Sequence, residues 1–189
     1  MTHLLMLMSL TACAKKGSMA DRQFDTQSRE AGRLNESKTE DGLIQQTIDI
    51  NLDGRPDVIN YYRETTSDAP RRLVRKETDL NMDGHIDVRS WLDDLGNLEK
   101  EELDGDFDGR VDWVDHYQSS KRVMSEVDTD YNGVFDLFKY YESGKVRRKE
   151  RDTNADGKMD YWEYFDDQGN VTKTGRDLDG DGVMDVREQ

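Results

Sequence analysis

The sequence predicts an all-β protein: an antiparallel meander of about six strand–turn–strand repeats, elongated or curled, with a ligand loop at one end of each repeat. Three observations predict it. A nine-residue acidic segment recurs six times. Between the copies lie runs of five to seven residues rich in aromatic and β-branched side chains, too short for helices of ten or more periodic residues. Each of the later runs is followed by a turn signal and a charged return toward the next acidic segment.

The chain opens "MTHLLMLMSLTACAKK", an apolar run from Leu4 to Leu10 followed by Thr11, Ala12 and Cys13. The run is too short to span a bilayer and has the length of a signal-peptide core. It resembles a bacterial lipoprotein signal peptide, residues 1–12, ending in a lipobox. That resemblance implies acylation of Cys13, removal of the residues before it, and attachment to the membrane through the lipid; Ala14 after the cysteine is similar to lipoproteins of the outer membrane. Cys13 is the single cysteine, so no intramolecular disulfide forms. Residues 13–42 are polar without sustained periodicity and read as a flexible lipid-anchored linker. The repeat domain is expected over residues 43–189.

The acidic segments are "DINLDGRPD" (49–57), "DLNMDGHID" (79–87), "DGDFDGRVD" (104–112), "DTDYNGVFD" (128–136), "DTNADGKMD" (152–160) and "DLDGDGVMD" (177–185). Their starts are 30, 25, 24, 24 and 25 residues apart, the first interval being lengthened by "RETTSDAPRR". Places one and nine are always Asp, places three and five Asp or Asn, and place six Gly. A hard cation such as calcium takes several oxygen ligands at adaptable distances. Alternate places of a curled loop converge, and glycine at six permits the sharp turn. The candidate side-chain ligands are Asp49, Asn51, Asp53 and Asp57; Asp79, Asn81, Asp83 and Asp87; Asp104, Asp106, Asp108 and Asp112; Asp128, Asp130, Asn132 and Asp136; Asp152, Asn154, Asp156 and Asp160; Asp177, Asp179, Asp181 and Asp185. Place seven varies freely (Arg55, His85, Arg110, Val134, Lys158, Val183), as a backbone-carbonyl ligand would allow. Asp-Gly steps alone are good turn formers, but a turn needs no carboxylate three residues past its glycine.

Over nine places the loop resembles the calcium loop of the EF-hand family, D-x-[DN]-x-[DN]-G-x-x-D. It departs at place twelve, where the EF-hand uses a bidentate Glu and this chain has Asn60, Ser90, Asp115, Lys139, Glu163 and Glu188. It is closer to the loops that join β-strands in FG-GAP-type integrin repeats. Thrombospondin type 3 and dockerin-like repeats share the loop too. The resemblance implies calcium binding, up to six ions, rather than one family's activity. The alternative is a helical EF-hand-type buffer or sensor.

The strand candidates are "VINYY" (58–62), "VRSWL" (88–92), "WVDHY" (113–117), "LFKYY" (137–141) and "YWEYF" (161–165). Turns follow at 93–97, 118–121, 142–145 and 166–170, then returns such as "NLEKEEL" and "KVRRKER". Aromatics such as Tyr140, Tyr141, Trp162 and Tyr164 are expected to form a thin core, with Trp91, Trp113 and Trp162 as packing residues rather than a sugar platform. The chain is 37% charged with net charge −15, which disfavours nucleic acid as a partner. No nucleophile–base pair, phosphate loop or zinc spacing is present, so a non-enzymatic role in the cell envelope is expected, structural or adhesive, toward an envelope protein or glycan.

Overall fold

The computed structural model describes residues 34–65 and 69–188. The signal segment 1–12, Cys13 and the linker as far as residue 33 lie outside the described residues. Thirteen strands form one sheet in sequence order, every neighbouring pair antiparallel. They are β1 (Leu34–Lys38), β2 (Ile44–Ile48), β3 (Val58–Arg63), β4 (Arg72–Thr78), β5 (Val88–Leu92), β6 (Leu98–Leu103), β7 (Trp113–Gln118), β8 (Lys121–Val127), β9 (Leu137–Glu142), β10 (Lys145–Arg151), β11 (Tyr161–Phe165), β12 (Val171–Arg176) and β13 (Val186–Glu188). The six acidic loops follow the even-numbered strands β2 to β12, so all stand on one end of the sheet. The expected all-β meander is what forms. Among the described residues there is no helix, which removes the helical EF-hand alternative.

One boundary moves. Residues 34–38, expected within the linker, form β1 and pair with β2 from Leu34↔Ile48 to Lys38↔Ile44. The reason is a turn, "TEDGL", built like two later ones: Thr39 N–H donates to Leu43 O and Gly42 N–H to Thr39 O, as Asp93/Asn97/Gly96 and Asp166/Asn170/Gly169 do. Side chains then pin the polar strand. Glu36 accepts from Gln46 at 3.1 Å and Arg71 at 3.0 Å, and Lys38 pairs with Glu64 at 3.0 Å.

All substantial contacts between strands are between sequence neighbours, and none joins β1 to β13, so the sheet is open and one layer thick. Each hairpin from β3–β4 to β11–β12 carries the same irregularity. Val74, Glu99, Val123, Arg147 and Thr172 are skipped in the register of the returning strand. A bulge of this kind raises local twist, and it makes each returning strand one residue longer than the strand before it.

With no second layer, each face covers its own aromatics. One row crosses the sheet as Tyr61, Arg75, Trp91, Lys100, His116, Met124, Tyr140, Arg148, Tyr164, Lys173. Aromatic and cation stand directly opposite: Arg75 lies 3.8 Å over Tyr61, Lys100 5.1 Å over Trp91, Arg148 4.0 Å over Tyr140 and Lys173 5.4 Å over Tyr164. Such contacts contribute about 0.5–1 kcal/mol at exposed sites and more when desolvated. Three of these cations also reach a glutamate two places along their own strand, Arg75 to Glu77, Lys100 to Glu102 and Arg148 to Glu150. The returning-strand charges therefore cover aromatics as well as pairing with one another. The face of Trp113 is taken by Lys139, and Trp162 is buried, so the tryptophans are packing residues.

The other face holds a polar cluster at mid-sheet. Asp115 on β7 accepts from Ser125 Oγ at 2.5 Å and Trp113 Nε1 at 2.8 Å, and pairs with Arg122 at 3.0 Å. Asp115 and Ser125 are both buried. Removing one partner of a buried charged network leaves the others unsatisfied. Asp115→Ala should therefore lower the unfolding free energy by about 3 kcal/mol. Breaking the exposed Arg63–Asp94 pair should cost no more than about 1 kcal/mol. Urea denaturation of the two variants measures both; equal losses would show that the cluster is not a stabilising element.

Candidate metal centres

The six loops share one hydrogen-bond scheme. The carboxylate at place one accepts from the N–H of the place-six glycine in every copy, at 2.6–2.9 Å. The side-chain oxygen at place three accepts from the N–H of place five, and that at place five from the N–H of place seven. The carboxylate at place nine reaches back to the N–H of place two. This last bond corrects the reading that turn chemistry has no use for a carboxylate past the glycine: it closes the loop from behind. Each oxygen pair retains free lone pairs, since an ionised carboxylate offers about four acceptor positions.

Adjacent loops are wired to each other through the backbone. The N–H of place one in each later loop donates to the place-nine carbonyl of the loop before it, from Asp79 to Asp57 O at 2.8 Å through Asp177 to Asp160 O at 3.0 Å. Burial follows this wiring. Asp57, Asp79, Asp87, Asp104, Asp112 and Asp128, all at places one or nine, are buried, whereas places three and five are exposed throughout. The half-buried residues at place eight, from Pro56 to Met184, stand between loop and sheet.

The backbone at place four is a feature the sequence reading missed. It lies in the left-handed region in every loop: Leu52, Met82, Phe107, Tyr131 and Ala155 at φ 60–65°, and Gly180 at 79°. Place six is also left-handed, as its glycine requires.

Place seven is not indifferent either. In the odd-numbered loops it is a cation that reaches into the following loop. Arg55 donates to Asp83 O at 2.6 Å, Arg110 to Asn132 O at 3.1 Å and Tyr131 O at 3.2 Å, and Lys158 to Gly180 O at 2.7 Å. His85, Val134 and Val183 make no such bridge among the described hydrogen bonds. The loops are thus clamped as first-with-second, third-with-fourth and fifth-with-sixth. The clamp also uses the glycines. A Cβ on Gly84 would lie 2.6 Å from Arg55 and one on Gly133 3.1 Å from Arg110, whereas Gly54, Gly109 and Gly157 have open space.

The candidate ligands gather unequally. One carboxylate oxygen from each of Asp104, Asp106 and Asp108 lies within 4.8 Å of the others, and so it is for Asp128, Asp130 and Asp136 and for Asp177, Asp179 and Asp185. Asp112 stands outside its loop's group, and the acidic residues of the first, second and fifth loops do not gather so tightly among the described residues. There, Asn51, Asn81 and Asn154 donate an amide N–H to the place-five carboxylate at 3.0–3.2 Å. The donor set is oxygen only, which suits calcium and not zinc.

Crowding marks the third loop. Partial loss of hydration among the crowded loop atoms, together with the charges of Asp108, Asp112 and Asp104, holds the exposed Asp106 carboxyl above its ordinary range, although the Asp108 N–H opposes this. Asp108 is held low by its bond with the Arg110 side chain. Burial pushes Asp128 up, but the Gly133 and Asn132 N–H groups outweigh it and leave the carboxyl low. Asp177 is low chiefly through the Gly182 N–H.

No family model matches the sequence, and no curated protein matches it. Among solved structures, the sheet is similar to part of the accessory secretory protein 1, 2 and 3 structure from Streptococcus pneumoniae, with 10% identity over 63% of this chain and 19% of that one, at a TM-score of 0.35. It is also similar to part of S. aureus TarM, with 13% identity over 92% of this chain and 23% of that one, at a TM-score of 0.22. The chain spans about a fifth of the length of the solved chains it matches. Scores this low carry no argument about function.

Two outcomes check the loop geometry. Gly84→Ala should destabilise by roughly 1 kcal/mol more than Gly54→Ala, and the excess should vanish in an Arg55→Ala background; thermal melts of the four-way cycle decide it. Depressed carboxyls contribute stability that is present above the unfolded pKa near 3.9 and lost as pH falls through their folded values. Carbon-13 carboxyl shifts in chelator should therefore show Asp128 and Asp177 titrating below that value, and Asp106 above it.

Proposed function

We propose that the chain is a calcium-binding, non-enzymatic lipoprotein of the bacterial cell envelope, held to the outer membrane through Cys13, with a structural or adhesive role carried by its repeat sheet. The observation that carries the calcium reading is the convergence of three carboxylates within 4.8 Å in each of three loops, in a chain of net charge −15. Places one, three, five and nine, with the backbone carbonyl of place seven, would hold the ion. A bound ion supplies charge neutralisation and a cross-link between the ends of the loop, and metal binding of that kind is linked to folding.

Up to six ions are proposed, and the loops rank. In the first, second and fifth loops the Asn amide already donates to the place-five carboxylate, and in the third the Arg110 guanidinium holds Asp108. The fourth and sixth loops have gathered carboxylates with valine at place seven, so they fill first. Carboxylates occupied in this way are ligands and loop braces, which supports a binding role over catalysis. The anchor and the envelope location rest on the lipobox resemblance alone, and detergent partitioning of wild type against Cys13→Ser tests them.

Calcium titration by calorimetry, with melting followed by circular dichroism, tests the metal. Binding should be modest, roughly 10⁻⁴ to 10⁻³ M as in extracellular modules, and stronger than for magnesium or zinc. Asp106 carries the sharper check. Its raised carboxyl costs stability at neutral pH, a cost relieved as pH falls through its folded value. Asp106→Asn should therefore raise the melting temperature in chelator and shrink the rise that calcium produces. Tighter zinc than calcium binding, or no calcium-dependent rise in wild type, would falsify the metal reading.

A further inference from the structure

Loop closure does not require the row of side chains at place four. Leu52, Met82, Phe107 and Tyr131 sit at φ 64°, 62°, 65° and 61°, where L side chains are strained and glycine or asparagine is favoured. These residues are 43%, 42%, 46% and 48% exposed. Each is therefore unfavourable twice, in backbone conformation and in apolar surface left in water. The sixth loop, with Gly180 at this place, shows that the loop closes without a side chain there. Strained, exposed and apolar residues that recur at one position of a repeat point to an interaction surface.

The surroundings define the occupant. The loops recur every two strands, so the four side chains stand about 9.6 Å apart along a line of roughly 29 Å on one end of the sheet. Each is flanked by an exposed acidic group at place three or five: Asp53 beside Leu52, Asp83 beside Met82, Asp106 and Asp108 beside Phe107, Asp130 beside Tyr131. Twenty carboxylates stand at the ligand places of the six loops, three or four in each. A divalent ion in every loop, counted with Arg55, Arg110 and Lys158, would bring the first and fifth loops to neutrality and still leave the six loops together at about −5, with none of them positive. An anionic lipid surface is therefore repelled with or without metal, and charge complementarity selects a cationic partner.

We propose that this end of the sheet docks a cationic amphipathic polypeptide segment, its apolar residues on Leu52, Met82, Phe107 and Tyr131 and its Lys or Arg side chains on the flanking carboxylates. The site shares its flanking carboxylates with the calcium loops, but its apolar row takes no part in metal ligation and the docking does not rest on the calcium reading. A helix with apolar residues in a heptad pattern repeats every ~10.5 Å, close to the loop spacing, and three heptads cover roughly 30 Å.

The test uses labelled three-heptad peptides and fluorescence anisotropy in chelator, so that its outcome is independent of metal binding. A Leu/Lys peptide should bind the wild-type chain, and a Leu/Glu or Ser/Lys peptide of the same length should not. Changing Leu52, Met82, Phe107 and Tyr131 together to Asn should keep or raise the melting temperature, because Asn tolerates the left-handed backbone, while weakening the Leu/Lys peptide by roughly tenfold or more. Ala155→Leu extends the stripe by one loop and should tighten binding, which keeps the test intact if the fourfold variant folds poorly. Equal binding of the Ser/Lys peptide, no effect of either variant, or binding to phosphatidylserine or phosphatidylcholine vesicles in preference to the peptide overturns the proposal.

Discussion

A sheet one layer thick has water on both faces, so no side chain can be hidden by a second layer. Everything that holds this protein together must act within the sheet or along its ends. The two faces answer with cross-strand cover: Arg75 on Tyr61, Lys100 on Trp91 and Arg148 on Tyr140 place a solvated charge outside and an aromatic ring beneath. The long aliphatic stems bury apolar area while their heads stay wet. Among the described residues, fully buried apolar residues are few, and Asp57 and Asp128 are among the most buried side chains. The firm part of the molecule is the line where loops meet strands.

That line is polar, and its stability comes from saturation. Each first-place aspartate closes its loop through the glycine N–H, each ninth-place aspartate closes it from behind, and backbone bonds tie one loop to the next. Buried carboxylates with several N–H donors are tolerated where bare ones are not. The same arrangement concentrates negative charge, and the loops relieve it by different means: an asparagine amide in three of them, a guanidinium in the third, and in the fourth and sixth neither. The repeats are alike in backbone and unlike in electrostatics.

The meander was legible because loop, aromatic run and turn recur in a fixed order, and β3, β5 and β7 begin where the aromatic runs begin. β1 was not, because the edge strand "LNESK" is polar on both faces and carries no alternation to read; only its turn, with Asp41-Gly42, could have signalled it. The repeated bulges left no mark beyond one extra residue in each return. At the candidate centres, the ligand places could be read from residue type, but which carboxylates gather could not. That depends on the Asn-to-Asp bonds and on Arg110, which need coordinates. The alternation at place seven stood in the sequence, yet its meaning requires knowing that successive loops lie side by side.

The clamps formed by Arg55, Arg110 and Lys158 give the array a grain. A chain of identical links can grow or shrink by one; this one counts in twos. Loss of the third repeat alone would set His85 beside the fourth loop with no cation to cross the gap, whereas loss of the third and fourth together would leave both remaining clamps intact. The smallest piece that can be duplicated or deleted without leaving a loop unclamped is thus two loops and four strands, about 19 Å of sheet. Length variants of this architecture should differ by even numbers of repeats, a parity rule written by three side chains.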